Sequence, residues 1–203
     1  MTPLTDIQYD ALVEIFNIAI GRSAAAMSRI VNDEIVLSIP SLAFLSGKEA
    51  LHNLSGISNR RVCGVMQEFT GPFRTKAMLM FPEEQSLEIV RLMVGESYSL
   101  DELSELEQEA MGEIGNILLN ACIGSIANIT GNEFNSTLPE VLLGTGAEIL
   151  ALDKQPEQET VLLVYIDFIV AQRTIQGYMA FLMNVPSQQG LIEGVDRFIA
   201  AGA

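Results

Sequence analysis

Asp10-Ala11-Leu12-Val13-Glu14-Ile15-Phe16-Asn17 returns ninety-nine residues later as Glu109-Ala110-Met111-Gly112-Glu113-Ile114-Gly115-Asn116. In each copy twenty-two further residues separate the asparagine from a proline, Pro40 or Pro139. At 3.6 residues per turn, positions i, i+4 and i+7 share one helix face. Each copy therefore lines up two carboxylates and a carboxamide, Asp10, Glu14 and Asn17 or Glu109, Glu113 and Asn116, on a polar stripe turned from the apolar positions between them.

The same offset holds beyond the motif and without a gap. Leu4/Leu103, Ile30/Ile129 and Glu34/Glu133 match, as do Val62/Val161, Phe69/Phe168, Arg74/Arg173 and Met80/Met179. The simplest cause is a duplicated unit, giving repeats over about 4–94 and 103–200 within one domain spanning 1–203. Two long units make a pseudo-symmetric pair and not a solenoid, whose period runs roughly 20 to 50 residues.

Composition excludes several classes. With 203 residues and 49% hydrophobic content the chain can bury a sizeable core, so disorder does not fit. A net charge of -15, with only eleven Lys and Arg, repels phosphate backbones and anionic headgroups, which argues against nucleic acid as a partner. No uninterrupted apolar run approaches the roughly 18 to 20 residues of a membrane span, so membrane insertion is not expected. The start Met1-Thr2-Pro3-Leu4 does not read as a signal peptide. Cys63 and Cys122 fall in segments that read as a buried strand and a buried helix face; they are expected as free thiols of a cytoplasmic protein.

Thr5-Asp6-Ile7-Gln8 and Ser104-Glu105-Leu106-Glu107 both fit the S/T-x-x-E/Q capping box, so a long helix is expected to start at each and to run to about residue 31 or 130. Short strands are expected at 34–39 and 133–138, hairpins at 62–81 and 161–183, and helices at 83–94 and 187–200, each entered after Pro82 or Pro186. The polar stretch 95–101 reads as the hinge between repeats. The fold class is α/β (α+β): a pseudo-two-fold duplicated unit with one antiparallel or mixed sheet of about six strands, two long helices and shorter helices packed on it.

A single polar helix stripe usually serves solubility. Here the glutamate and asparagine coincide twice although the helices otherwise diverge, with Arg22 against Ala121 and Phe16 against Gly115. Gly21, Ala24 and Ala25 in one copy, and Gly112 and Gly115 in the other, are small residues beside the stripe and are expected to let another surface approach; an interior helix glycine costs about 1 kcal/mol relative to alanine. Such a face resembles half of an active site, to be completed by a partner that supplies the rest.

The pattern of Asp or Ser, three residues, Glu, two residues, Asn, twenty-two residues, Pro resembles the signature of the CheC, CheX and FliY phosphatases of bacterial chemotaxis. Two copies in a chain of this length look like the CheC branch. Glu109 departs from it, standing where the pattern has Asp or Ser. The resemblance implies a protein phosphatase acting on the aspartyl phosphate of a CheY-type response regulator. Asn17 and Asn116 would hold the attacking water, and Glu14 and Glu113 would pair with the regulator's active-site lysine. Asp10, Glu109, Pro40 and Pro139 would support the motif. The resemblance implies no cofactor or metal of its own, any Mg2+ belonging to the regulator. Raising hydrolysis tenfold to a hundredfold needs only about 1.4 to 2.7 kcal/mol.

The alternative function is a non-catalytic adaptor that binds a response regulator, a flagellar switch component or the CheD deamidase. CheD-binding members carry an acidic residue and a methionine after the second motif proline. Leu142-Leu143-Gly144-Thr145-Gly146-Ala147 lacks that pair, which leaves CheD open.

Other candidates are weaker. The single histidine, His52, has no nucleophile at a triad spacing and reads as a surface residue. Asp101, Glu102, Glu105 and Glu107 read as carboxylates meeting a helix dipole. Gly47-Lys48 and Gly144-Thr145-Gly146 are fragments of phosphate-binding loops and read as turns.

Overall fold

A computed structural model describes residues 4–31, 34–54, 60–94, 100–150, 160–170 and 173–202. The elements in chain order are α1 (Asp6–Val31), β1 (Ile35–Ser38), β2 (Leu42–Ser46), α2 (Gly47–Asn53), β3 (Arg61–Thr70), β4 (Arg74–Pro82) and α3 (Glu83–Val94). The second repeat follows as α4 (Leu100–Thr130), β5 (Asn135–Ser136), β6 (Glu140–Thr145), α5 (Gly146–Leu150), β7 (Thr160–Val170), β8 (Arg173–Met183) and α6 (Val185–Ala200).

Six strands run in the order β1-β7-β8-β4-β3-β5, with β2 also pairing β7 and β6 also pairing β3, every pairing antiparallel. The pseudo-two-fold passes through the β4–β8 seam: Leu79 pairs with Met179 and Met80 with Tyr178, and the ninety-nine-residue offset exchanges these two pairs. The outer strands are traded across the axis. β1 and β2 of the first repeat lie on β7 of the second, while β5 and β6 of the second lie on β3 of the first.

Both sheet faces are covered, which is why the long strands read as near-continuous apolar runs and not as alternating ones. Leu162, Val164, Phe168 and Phe181 belong to a large core with Leu12, Phe16 and Ile20 of α1, Ile114, Leu118 and Cys122 of α4, Val90 of α3 and Leu191 of α6. Val161, Leu163, Met78 and Met80 belong to a second core under Ala50 of α2 and Ile149 of α5. Fully burying one such side chain is worth roughly 1.5–3 kcal/mol. Cys63 and Cys122 are free and buried as expected, and burial pushes both thiols up to about 12.

Several expectations need correction. The first capping box forms, with Thr5 N–H donating to Gln8 Oε1 at 3.0 Å and Gln8 N–H to Thr5 Oγ1 at 3.3 Å. Its repeat does not start a helix: α4 begins at Leu100, and Glu107 is carried into the interior at 2% exposure, where it accepts a bond from Ser86 of α3. Of the expected hinge, 95–99 lies outside the described residues and Leu100 and Asp101 are already helical. The expected strand at 133–138 shrinks to two residues. The two supposed turns instead end β2 and β6 and start α2 and α5, each closed by a real capping box, Ser46/Glu49 and Thr145/Glu148.

The membrane reasoning also needs refinement. Asp6–Arg29 and Leu106–Ile129 are long and apolar enough, by length and composition, to cross a membrane. Their windows are 44% and 50% buried, since the apolar face of each lies on the sheet.

Candidate functional site

The repeated stripe lies where α1 and α4 turn away from the sheet. Asp10, Glu14, Glu109 and Glu113 are exposed, and Asn17 and Asn116 are half-buried. The neighbours that bury each helix, Leu12, Ile15 and Phe16 in α1 and Met111, Ile114 and Leu118 in α4, take the opposite face. Among the described residues Glu14 and Glu113 enter no ion pair; the salt bridges found are Arg61–Glu83, Arg74–Glu68, Lys76–Glu68 and Arg173–Glu88.

The asparagines are anchored inward. Asn17 Oδ1 accepts the backbone N–H of Ile39 at 3.2 Å. A backbone N–H can only donate, so the atom facing it is the amide oxygen, which leaves Nδ2 out of this bond. Ile39 is free to donate because β1 ends at Ser38, and Pro40 keeps it extended, since a residue before proline is pushed out of the helical region. In the first copy the spacing from asparagine to proline thus has a structural cause.

The second copy is held differently. Leu138, the counterpart of Ile39, is 88% exposed where Ile39 is 5% exposed. Asn116 Oδ1 instead accepts from Gln67 Nε2 at 3.2 Å and from Asn120 Nδ2 at 2.9 Å. Gln67 and Asn120 were not singled out by the sequence reading. The signal available was a glutamine inside the apolar strand run of β3, where the other repeat has Ile166.

The supporting residues divide. Pro40 is exposed beside the first anchor; Pro139 is half-buried at the end of an irregular segment whose Thr137 exchanges bonds with Glu68 of β3. The small residues do not act together. Gly21 and Ala25 are exposed, but a Cβ on Gly115 would lie 2.4 Å from Val65 Cγ1, so that glycine lets α4 approach its own sheet and not a partner. Gly112 is also buried, against Val141.

Exposed apolar side chains include Ile7 and Ile18 on α1, at 66% and 41% exposure, Leu138 before Pro139 and Leu143 on β6. Ile7, Asp10, Glu14, Ile18 and Gly21 follow one helix face at spacings of three or four residues. The combination of exposed carboxylate, oriented amide and apolar rim suits docking of a protein surface more than capture of a small molecule. Among the described residues no group of three or more His, Cys, Asp or Glu is arranged to hold a metal. His52 is exposed on α2.

Comparison with known proteins agrees with the repeated motif. The family model for the chemotaxis phosphatase CheX matches residues 63–166, just over half of the chain. The chain belongs to this CheX family. The matched span contains Glu113 and Asn116 and stops short of the first copy of the stripe. The chain is 27% identical over 139 residues to the CheY-P phosphatase CheC of Bacillus subtilis, covering 67% of this chain and 66%, just under two thirds, of that relative. Its fold is that of Thermotoga maritima FliY (TM-score 0.77, 21% identity, 96% of this chain and 98% of that one). It is also that of CheX in the CheX–CheY–BeF3–Mg2+ complex of Borrelia burgdorferi (TM-score 0.53, 16% identity, 85% and 97%).

Proposed function

We propose that this protein hydrolyses the aspartyl phosphate of a CheY-type response regulator, with Glu14 and Asn17 forming one docking face and Glu113 and Asn116 the other. The observation that carries this reading is the doubled pairing of an exposed glutamate, free of ion pairs among the described residues, with an asparagine anchored by its oxygen.

The substrate is an acyl phosphate, already activated. In phosphoryl transfer the catalyst positions an in-line nucleophile and spreads charge, and no covalent nucleophile is required. When a helix face docks, the outward Nδ2 of the asparagine donates one hydrogen bond to the attacking water and one to a phosphoryl oxygen. The water oxygen bonds to phosphorus as the bond to the aspartyl oxygen breaks. That electron pair returns to the regulator's carboxylate, and inorganic phosphate carries away the water's oxygen with one of its protons, the other passing to solvent.

The glutamate pairs with the regulator's lysine. The pair gains strength as docking excludes water, whereas an exposed one is worth only about 0.2–1 kcal/mol. Any Mg2+ would belong to the regulator's acidic pocket, where it would neutralise phosphoryl charge; the Borrelia complex holds CheX and CheY together with BeF3 and Mg2+. The acidic surface of this chain, at net charge -15, steers it towards cationic groups and away from bare phosphate.

The adaptor reading is separated by one assay. Substoichiometric protein mixed with phosphorylated receiver releases phosphate over many turnovers if it is a phosphatase, and binds without turnover if it is an adaptor.

A further inference from the structure

We propose that Gln67 and Asn120 are positioning residues of the second site, holding the Asn116 carboxamide in the orientation that the Ile39 backbone gives Asn17 in the first. The inference rests on the phosphatase reading above.

The atom assignment follows from bonds that can run only one way. Asn120 Nδ2 lies 2.7 Å from the Asn116 backbone oxygen, and Gln67 Nε2 lies 3.0 Å from the Thr137 backbone oxygen. Carbonyl oxygens only accept, so both facing groups are amides that donate. The Asn116 atom they share is therefore its oxygen. Gln67 Oε1 also lies 3.2 Å from Asn120 Nδ2, whose two hydrogens are shared among three acceptors, and this longer contact closes the network.

Packing does not call for these residues. Gln67 is 1% exposed, and a buried carboxamide is tolerated only when hydrogen-bonded. At the equivalent place the other repeat uses Ile166, also 1% exposed. The counterpart of Asn120 is Gly21, where an added Cβ meets nothing within 4 Å. One comes from each repeat, and they meet at the second site, where Leu138 before the proline is 88% exposed and makes no counterpart of the Ile39 bond. Two side-chain donors replace one lost backbone donor.

The replacement is not neutral. An amide oxygen has two lone pairs. Asn17 uses one on Ile39, whereas Asn116 uses both, so Asn116 offers a partner only its Nδ2 and has less freedom to rotate. The two sites are chemically distinct copies.

The test reads kcat and KM for dephosphorylation of a receiver in two backgrounds, Asn17→Ala, which leaves the second site, and Asn116→Ala, which leaves the first. In the Asn17→Ala background, Asn120→Ala and, separately, Gln67→Leu are expected to lower kcat about tenfold to a hundredfold, the scale of a misplaced group, with KM little changed. In the Asn116→Ala background the same changes leave kcat as it was, which a merely structural role would not. Gln67→Glu adds a pH signature. Its carboxyl donates only when protonated, so second-site kcat relative to that of the glutamine protein rises as pH falls. Unchanged second-site kcat in both substitutions, or equal loss in both backgrounds, overturns the positioning role. Full turnover by Asn17→Ala with Asn116→Ala overturns the phosphatase reading beneath it instead.

Discussion

Asn17 and Ile39 are joined by one hydrogen bond, amide oxygen to backbone N–H at 3.2 Å, across a separation of twenty-two residues. That bond ties the outer face of α1 to the end of β1 and makes a proline at a fixed distance useful. The proline restricts the backbone of the donor residue. The Asn116 oxygen is held instead by the side-chain donors Gln67 and Asn120.

Pro40→Gly is expected to loosen the Ile39 donor, because glycine frees the preceding residue and adds conformational entropy to the unfolded chain. Read in the Asn116→Ala background, first-site kcat should fall several-fold while second-site kcat, read in the Asn17→Ala background, should not move. Equal effects on both sites would show that Pro40 acts on the fold alone.

Two glycines on the long helices should respond oppositely to alanine. Helix propensity favours alanine by about 1 kcal/mol, and Gly21→Ala, with open space around it, should gain most of that. Gly115→Ala must push Cβ against Val65, and overpacking costs typically 1–3 kcal/mol. Denaturant unfolding should therefore show Gly21→Ala stabilised and Gly115→Ala destabilised, with Val65→Ala partly rescuing the latter.

Glu107 supplies a pH prediction. Desolvation first, and then the nearby Glu83, raise its carboxyl above the ordinary glutamate value of 4.5, against the opposing bond from Ser86. A carboxyl raised in the folded state favours folding in its protonated form. Its contribution is full below about 4.5 and is lost as pH rises through the folded value. Glu107→Gln keeps an acceptor for Ser86 and has no charge to bury. The stability of Glu107→Gln relative to the parent should grow from acid to neutral pH; a pH-independent difference would contradict this.

Most of the architecture was legible in the sequence because duplication doubles every signal. The long helices, both hairpins and the terminal helices stand close to their expected bounds, since 3.6-residue periodicity and long apolar runs leave few alternatives. Two short strands and two short helices were missed. Their capping boxes, Ser46/Glu49 and Thr145/Glu148, were readable by the rule that found Thr5/Gln8, but adjacent glycines suggested turns. The rule misfired at Ser104/Glu107 because a buried acid facing Ser86 has the same spelling as a cap. The candidate residues of the site were legible as a pattern. The anchors that orient them were not: Ile39 and Gln67 reach the asparagines across 22 and 49 residues, and Asn120, one helix turn from Asn116, has no match in the other repeat, where Gly21 stands.

The central claim is that two asparagine carboxamides promote loss of phosphate from a receiver domain. Dephosphorylation of a phosphorylated CheY-type regulator, followed with the unmodified protein, Asn17→Ala, Asn116→Ala and the double variant, tests it most directly. Each single variant should keep the activity of its intact site, and the double variant should fall to the regulator's own rate with its thermal unfolding unchanged. A folded double variant that still accelerates phosphate loss like the unmodified protein would contradict the account.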